Sequence, residues 1–431
     1  MLYSNLSVNE KGHLTIAGLD AVELVKEYGS PLMVLDENRV RENCRTYINA
    51  VKKYLPEGSK PLYAGKAFCF KGLYSIIESE GMGADVVSPG ELYVANAAGF
   101  PLEYVYFHGN NKTDEDIEFG IKTGIGRFVA DNRDELISIN RIAGENGKKQ
   151  RILLRLSPGI DPHTHAKIST GSVDSKFGTA IETGQAIELL EFAMSLENIE
   201  VEGFHCHIGS QIFECDPFTD AADIMLKFVA DAKSKLGFET KYVNLGGGFG
   251  VRYVESHPTI DIADNIRLLG EHINSACAKY GITPPKILLE PGRSIVADCC
   301  TTLYKIGSVK TITGYKSYVS IDGGMTDNPR YALYSSEYTM LNASKADKKA
   351  DFVCTVAGRC CESGDLLGEG ISVASPERGD ILAVLTTGAY NYSMASNYNR
   401  ICRPAVIIVK DGNVRVGIRR ETFEDLIKYD M

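Results

Sequence analysis

The feature that most constrains the fold is a repeated alternation, between residues 60 and 292, of short apolar runs with longer amphipathic stretches. Each run is bounded by Gly, Pro or polar residues, as strands buried on both faces tend to be. The predicted strands are PLYAG (61–65), ADVVS (84–88), YVYFH (104–108), GRFVA (126–130), RILLRL (151–156), VEGFHCH (201–207), KYVNLG (241–246) and KILLE (286–290). Eight such units favour a (β/α)₈ barrel of the TIM type over the alternative, a doubly wound open sheet.

A second kind of pattern begins at residue 293, where shorter alternating segments break at Gly and Pro. Alternation of this kind is typical of β structure, and the turn signal KDGNV near 410–414 separates two apolar runs. The first 35 residues also look β-like and are expected to pair with these strands. We therefore predict two domains, a barrel over 36–292 and an all-β domain made of 1–35 and 293–431.

Composition and charge exclude several classes of protein. The net charge of −10 argues against nucleic acid as a main partner, although a few local Arg residues can still build a pocket for an anion. The sequence contains no apolar run long enough for a membrane span and no recognisable secretory signal. The eleven cysteines lack the spacing of a disulfide framework. We expect free thiols and a cytoplasmic protein.

Polar residues follow the ends of most of the predicted barrel strands. In a (β/α)₈ barrel the active site lies at the C-terminal ends of the strands, here called the mouth. The residues at these ends are Lys66, Asp85, Ser88, His108, Arg155, His205, His207, Gly246, Gly247, Gly248, Glu290 and Arg293. A lysine, carboxylates, imidazoles, a glycine turn and an arginine at one mouth predict a cofactor-binding site.

Three of these features have competing interpretations. Lys66 is either a solvated lysine or a desolvated amine that can form a Schiff base with an aldehyde. The turn LGGGFG (245–250) is either a flexible loop or a cradle whose backbone N–H groups bind phosphate, and it lacks the spacing of a dinucleotide fold. His205 and His207 face the same side of a strand, but no carboxylate or thiol set at ligand spacing completes a metal site, so we predict none.

A further motif, GRCCESGD (358–365), places Cys360 and Cys361 before Glu362. In an extended chain the two cysteines face opposite ways, so at most one of them is expected to enter a site. Two buried cysteines are the alternative interpretation.

These residues stand in ordered motifs that resemble the diaminopimelate decarboxylase family over nearly the whole chain. The matching motifs are PLMVLDE (31–37), YAGKA (63–67), GADVVSPGE (83–91), HGNNKT (108–113), RLSPGIDPHTHAKISTGSVDSKFG (155–178), FHCHIGSQ (204–211), NLGGGFG (244–250), EPGRS (290–294), DGGMTDNPRYALY (322–334), CESGD (361–365) and GAYNYSM (388–394). That family has the alanine racemase-like fold and uses pyridoxal 5′-phosphate. The resemblance therefore implies that the predicted barrel binds pyridoxal phosphate.

The resemblance also implies roles toward the cofactor. Lys66 would form the Schiff base, His207 would stack on the pyridine ring, and Glu290 would pair with the pyridine nitrogen. The remaining cofactor-binding residues implied are Asp85, Ser210, Gly247, Pro291, Gly292, Arg293 and Tyr390. Gly65 departs from the family, which usually has a branched apolar residue there, and this departure is expected to loosen the packing beside Lys66.

On the substrate side, the resemblance implies that carboxylate is bound by Arg293, Arg330 and Tyr334, with Tyr390 in contact. Glu362 would meet the distal ammonium group and Cys361 would donate a proton. The family forms an antiparallel homodimer with active sites at the interface, so Cys361 and Glu362 are expected to reach the cofactor of a second copy.

The expected activity is decarboxylation of meso-2,6-diaminopimelate to L-lysine and CO₂, the last step of lysine biosynthesis. The main alternative is an ornithine, arginine or carboxynorspermidine decarboxylase on the same fold. A remoter one is a non-catalytic protein like the antizyme inhibitors, against which the presence of both Lys66 and Cys361 argues.

Overall fold

The structure is a computed structural model that describes residues 3–160 and 175–431. Most of the motif at 155–178 therefore lies outside the described residues. The chain divides into two units. The barrel unit comprises Asn43–Gly250 and Thr259–Ser294, and the β unit comprises Met1–Glu42, Val251–Pro258 and Ile295–Met431.

The strands of the described residues are numbered in chain order. They are β1 Leu6–Val8, β2 Leu14–Ile16, β3 Leu19–Asp20, β4 Leu32–Asp36, β5 Lys60–Ala64, β6 Gly83–Val86, β7 Val105–Phe107, β8 Arg127–Ala130, β9 Gln150–Ser157, β10 Thr179–Ala180, β11 Ile199–His205, β12 Tyr242–Asn244, β13 Lys286–Leu289, β14 Cys300–Ile312, β15 Lys316–Ile321, β16 Met340–Asn342, β17 Phe352–Ala357, β18 Leu366–Val373, β19 Ile381–Val384, β20 Ala405–Lys410 and β21 Asn413–Ile418.

The α-helices are numbered in the same way. They are α1 Ala21–Tyr28, α2 Glu37–Tyr54, α3 Lys71–Ser79, α4 Pro89–Ala97, α5 Asp114–Thr123, α6 Arg133–Glu145, α7 Gln185–Met194, α8 Asp216–Leu236, α9 Ile262–Tyr280, α10 Arg293–Val296, α11 Arg330–Tyr334 and α12 Phe423–Ile427. Among the helices of the described ranges, none has a stretch both long and apolar enough to cross a bilayer.

The predicted barrel is confirmed. Strands β5 to β9 and β11 to β13 pair in parallel, and β13 pairs with β5 to close the ring. Every predicted barrel strand is present, with ends that differ by a few residues. The interior is filled by one buried cluster, Leu62, Tyr106, Val129, Leu153 and Leu288. Because the strands are parallel and closed, their C-terminal ends all meet at the mouth.

The barrel helices begin where side chains can accept the first backbone N–H groups. Asn132 caps α6 by accepting from Glu135 N–H at 3.0 Å, and Gly147 takes a left-handed φ of 63° just beyond its end. Asparagine is a common helix cap, and glycine is common just past the last turn of a helix. Thr113 and Asp116 form a reciprocal capping box at the start of α5.

The β unit is built around the long strand β14, which pairs with β4, β15 and β19. Strand β4 also pairs in parallel with β20, so the N-terminal segment joins the C-terminal strands as predicted. Strand β18 has a weak signal in the sequence, because Gly368 and Gly370 interrupt its apolar pattern.

Candidate active site

Lys66 stands at the mouth of the barrel, in the single 3₁₀ turn Gly65–Ala67 that follows β5. The charge of its ammonium group acts to lower the pKa of the Asp85 and Glu91 carboxyl groups and of the His207 imidazole. These three side chains therefore lie near Lys66. Lys66 is exposed, whereas Asp85 is buried. The structure thus brings the predicted Schiff-base lysine to the same end of the barrel as the other predicted cofactor residues.

Glu290 follows β13 and is held by side chains from three other strand ends. Asn244 donates from Nδ2 to Oε1 at 2.6 Å, and His205 Nε2 lies 3.2 Å from Oε2. His108 Nε2 lies 2.9 Å from Oε1. Glu290 is only 7% exposed, so the hydrogen bonds from Asn244 and His205 replace the water that its carboxylate has lost.

The electrostatics of this cluster favour an ionised Glu290. Burial alone would raise the pKa of Glu290, but His108 and His205 lower it well below its usual range. Burial also lowers the pKa of His205 to about 3, so His205 acts as a neutral N–H donor rather than as a cation. Asp85 behaves differently, because burial raises its pKa to about 6 and the charge of Glu290 adds to that effect.

The same three groups could be read as a metal site. Ligand atoms of His108, His205 and Glu290 lie within 4.8 Å of one another. Oε1 of Glu290, however, already accepts a hydrogen bond from Asn244, and this donor competes with a metal ion for the same oxygen. We interpret the cluster as a support for the carboxylate, and the absence of a metal stays a prediction.

The glycine turn after β12 is shaped by close approaches of the backbone. Gly246 and Gly248 take φ values of 72° and 119°, which favour glycine. A Cβ on Gly246 would lie 2.8 Å from Nδ1 of His207, and one on Gly247 would lie 2.0 Å from the carbonyl oxygen of Glu290. The turn therefore packs directly against both residues predicted to contact the pyridine ring.

Next to this turn, Arg293 meets Ser210. The guanidinium donates from Nη2 to Ser210 Oγ at 3.0 Å and from Nε at 3.3 Å. Pro291 accepts a hydrogen bond from Ala64 N–H at 3.1 Å, and a Cβ on Gly292 would lie 2.9 Å from the Ala64 side chain. The predicted phosphate-side residues thus gather around one cation and one hydroxyl group.

The expectation that Gly65 loosens the packing beside Lys66 is wrong. A Cβ on Gly65 would lie 2.4 Å from the hydroxyl oxygen of Tyr74 and 3.4 Å from Oε2 of Glu91. Tyr74 is almost fully buried, and its hydroxyl has no hydrogen-bond partner among the described residues. The tyrosine fills the space that a branched side chain would occupy. Burial raises the pKa of the neighbouring Glu91 to about 7.

Three of the predicted substrate residues gather in the β unit. The guanidinium carbon of Arg330 lies 5.0 Å from the ring centre of Tyr334 and 5.4 Å from that of Tyr390. Arg330 is buried, and its Nε has no hydrogen-bond partner within the described ranges. Tyr390 has a left-handed φ of 61°, which is costly for a residue with a bulky side chain. A buried cation between two tyrosines is suited to binding a carboxylate.

Cys361 and Glu362 also lie in the β unit, and both are exposed. Cys360 is half-buried, and burial followed by the charge of Asp365 raises its pKa to about 12. The two cysteines therefore differ in environment, as the sequence predicts. Of the two, Cys361 is the more accessible to a ligand or to another molecule.

Sequence reasoning misses three residues of the barrel mouth as functional candidates, namely Asn244, Tyr74 and Glu91. A signal exists for the first, because Asn244 ends β12 and precedes Gly246 by two residues, so that its Oδ1 accepts from Gly246 N–H at 2.9 Å. For Glu91 the signal is its place three residues after the helix cap Ser88. Tyr74 lies in helix α3, where nothing in the sequence distinguishes it from a core residue.

The barrel residues fit pyridoxal phosphate. A buried carboxylate that stays ionised suits the pyridine nitrogen, and Arg293 with Ser210 supplies a cation and a hydroxyl group suited to phosphate. A lysine at the same mouth can reach an aldehyde.

Comparisons with known proteins decide the family. Residues 38–297 match the family model described as "Pyridoxal-dependent decarboxylase, pyridoxal binding domain". The diaminopimelate decarboxylase of Bacillus subtilis (strain 168) is 42% identical over 432 residues, covering 100% of this chain and 98% of that protein. The chain belongs to the diaminopimelate decarboxylase family.

Other members are similarly close. The diaminopimelate decarboxylase of Bacillus methanolicus is 44% identical and covers 97% of both chains. A crystal structure of the M. jannaschii diaminopimelate decarboxylase in complex with L-lysine is 36% identical, has a TM-score of 0.90, and covers 99% of this chain and 98% of that one. The chain described here is therefore a pyridoxal phosphate-dependent decarboxylase with the alanine racemase-like fold.

Proposed function

We propose that this protein decarboxylates meso-2,6-diaminopimelate to L-lysine and CO₂ as the last step of lysine biosynthesis. The observation that carries this proposal is the full-length likeness to diaminopimelate decarboxylases, which extends over both units. The geometry of the two units agrees with it, because the barrel supplies a cofactor site and the β unit supplies a buried arginine for a carboxylate.

The barrel residues act by binding and by holding protons. Bound pyridoxal phosphate supplies an electron sink for the carbon that loses CO₂. Lys66 would hold the cofactor through its aldehyde, and His207 would pack against the pyridine ring. Glu290, kept ionised by its neighbours, would accept a hydrogen bond from the pyridine nitrogen and hold the proton there.

The β-unit residues act on the substrate. Arg330, with Tyr334 and Tyr390 beside it, binds the carboxylate that is not lost. In the barrel unit, Arg293 is likewise assigned to carboxylate binding. Glu362 binds the distal ammonium group. Cys361 gives its thiol proton to the carbon that has lost CO₂. A substrate with an amino and a carboxyl group at each end needs this combination of cation and anion.

We further propose a homodimer in which Cys361 and Glu362 serve the cofactor site of the second copy. Their exposure supports this assignment, since a catalytic thiol otherwise needs to be shielded. We also propose residues 36–292 as the cofactor-binding domain and the cytoplasm as the compartment. All eleven cysteines, each within the described part of the chain, are free, which supports a reducing compartment.

Release of CO₂ from competing substrates tests the proposed function. Purified holoenzyme is assayed with meso-diaminopimelate, ornithine, arginine and lysine at equal concentrations. We expect kcat/KM for meso-diaminopimelate to exceed that for each of the others by about 100-fold or more, which corresponds to about 2.7 kcal/mol. Faster release from ornithine or arginine contradicts the substrate assignment. A protein without a cofactor absorbance band supports a non-catalytic role instead.

Arg330→Lys tests the specificity device. We expect the KM for diaminopimelate to rise about tenfold or more, because lysine cannot form the two parallel hydrogen bonds that arginine gives to a carboxylate. The slow turnover of ornithine, which lacks the second carboxylate, should hardly change.

The exposed Arg378 provides a control, and Arg378→Lys should leave both substrates unaffected. An equal loss on both substrates in Arg330→Lys would mean that Arg330 is structural. That result would favour the alternative activity, decarboxylation of ornithine, arginine or carboxynorspermidine.

A further inference from the structure

The segment 358–364, here called the CES loop, carries Cys361 and Glu362. The N–H groups of Gly358 and Arg359 donate to backbone carbonyls, and the next two N–H groups donate to side chains. Cys360 N–H donates to Oδ2 of Asp365 at 2.7 Å, and Cys361 N–H donates to Oδ1 of Asn399 at 2.7 Å. Both of these acceptors are side chains, so the backbone position at Cys360 and Cys361 depends on the identity of Asp365 and Asn399. Neither residue has a role in the proposed chemistry.

Asp365 is built into the β unit. It is 2% exposed, and its Oδ1 accepts a hydrogen bond from Met325 N–H at 2.6 Å. A Cβ on Gly324 would lie 2.4 Å from Oδ1, and one on Gly358 would lie 2.2 Å from Oδ2. Glycine at both positions therefore makes room for this carboxylate. Asp365 ties the CES loop to the segment that leads to Arg330.

Asn399 is the exposed partner. It has a left-handed backbone with φ 52° and ψ 23°, a conformation that asparagine tolerates better than most residues. Since its side chain is exposed and reaches the loop from 38 residues away, the bond contributes to the placement of Cys361 more than to the core. Removing this acceptor changes the loop without opening a cavity.

We propose that Asp365 and Asn399 are positioning residues that fix the direction from which the Cys361 thiol delivers its proton. The proposal rests on the proposed function, in which Cys361 is the proton donor. In that step the S–H bond breaks and a C–H bond forms with the electron pair left on the substrate carbon by the loss of CO₂. The sulfur becomes a thiolate, which regains a proton from water.

A misplaced thiol has a chemical signature. The electron pair is shared between the substrate carbon and the aldehyde carbon of the cofactor, so a proton can add to either. Addition at the wrong carbon converts one substrate and one pyridoxal phosphate into CO₂, an amino aldehyde and pyridoxamine phosphate, and the atoms balance without a further reactant. The ratio of pyridoxamine phosphate to lysine therefore reports where the proton went.

The test compares Asn399→Gly with Asn399→Asp in the holoenzyme. Glycine removes the acceptor and takes the left-handed backbone freely, whereas aspartate keeps an oxygen at the same place. We expect the ratio of pyridoxamine phosphate to lysine to rise about tenfold in Asn399→Gly at a nearly unchanged Tm, and to stay close to the unmodified protein in Asn399→Asp. Asn413→Gly, at an exposed asparagine of the same unit, should not change the ratio.

Two outcomes separate this inference from the proposed function. If Cys361→Ala leaves the ratio unchanged, Cys361 is not the donor and the proposed role fails. If Cys361→Ala raises the ratio but Asn399→Gly does not, the donor assignment stands and the positioning role is overturned. If the ratio of pyridoxamine phosphate to lysine rises in both Asn399→Gly and Asn399→Asp, the positioning role is also overturned. An oxygen acceptor at position 399 would then have no effect on where the proton is added.

Discussion

Replacing Lys66 by alanine is expected to abolish covalent attachment of pyridoxal phosphate and to lower kcat by roughly three orders of magnitude or more, which is about 4 kcal/mol in the barrier. Lys66 is the lysine at the end of the first barrel strand, and its charge acts on Asp85, Glu91 and His207. Alanine removes the only group at this position that can bond to the aldehyde. The absorbance band of the lysine-bound cofactor should vanish, although the phosphate site can still hold the cofactor.

Reduction with borohydride and mass spectrometry of the tagged peptide measures this effect directly. The exposed Lys71, five residues further along, provides the control, and Lys71→Ala should be tagged at Lys66 as before. A tag on another lysine in the Lys66→Ala protein would show that the attachment site has been misassigned.

Glu290→Gln should retain the cofactor but lower kcat by about 100-fold or more, or about 2.7 kcal/mol. Glutamine fits the site sterically and can still accept from Asn244 at the Oε1 position. At the Oε2 position the glutamine amide would face Nε2 of His205. Nδ1 of His205 has no partner among the described residues, so the imidazole proton can move to Nδ1 and Nε2 can accept from the amide. The fall in kcat is therefore expected to come from weaker protonation of the pyridine nitrogen and not from a change in the fold.

Two measurements separate these effects. Cofactor content should stay near that of the unmodified enzyme, and the ¹⁵N resonance of labelled pyridine should move toward that of an unprotonated ring. Glu202, a buried carboxylate of β11 that pairs with Arg127, provides the control, and Glu202→Gln should leave kcat unchanged. An unaltered kcat in Glu290→Gln would remove the argument that the ionised carboxylate strengthens the electron sink.

The barrel and its mouth could be predicted because their signals are local. Parallel strands buried on both faces produce apolar runs, and the residue after each run lies at the C-terminal end of a strand. That rule is enough to place Lys66 and Glu290 at one end of the barrel. It needs the number and order of the strands but not the packing of any side chain.

The remaining features depend on packing between distant segments. The two hydrogen-bond donors to Glu290 come from β11 and β12, and His108 approaches it from just after β7. The sequence does not show which polar side chains turn toward the same carboxylate. The acceptor for Cys361 N–H comes from Asn399 through a left-handed backbone that the sequence does not signal. Strand β18 is hard to predict for a different reason, because Gly368 and Gly370 give its sequence the composition of a turn.

The close approach of Tyr74 to Gly65 constrains the order in which these positions can change during evolution. A valine at position 65 is blocked while the tyrosine is present, since its Cβ would lie 2.4 Å from the hydroxyl oxygen. A smaller residue at position 74 is tolerated first only at the cost of a cavity beside Lys66. The effects of substitutions at the two positions are therefore coupled, because a branched residue at position 65 fits only after a change at position 74 has removed the hydroxyl oxygen.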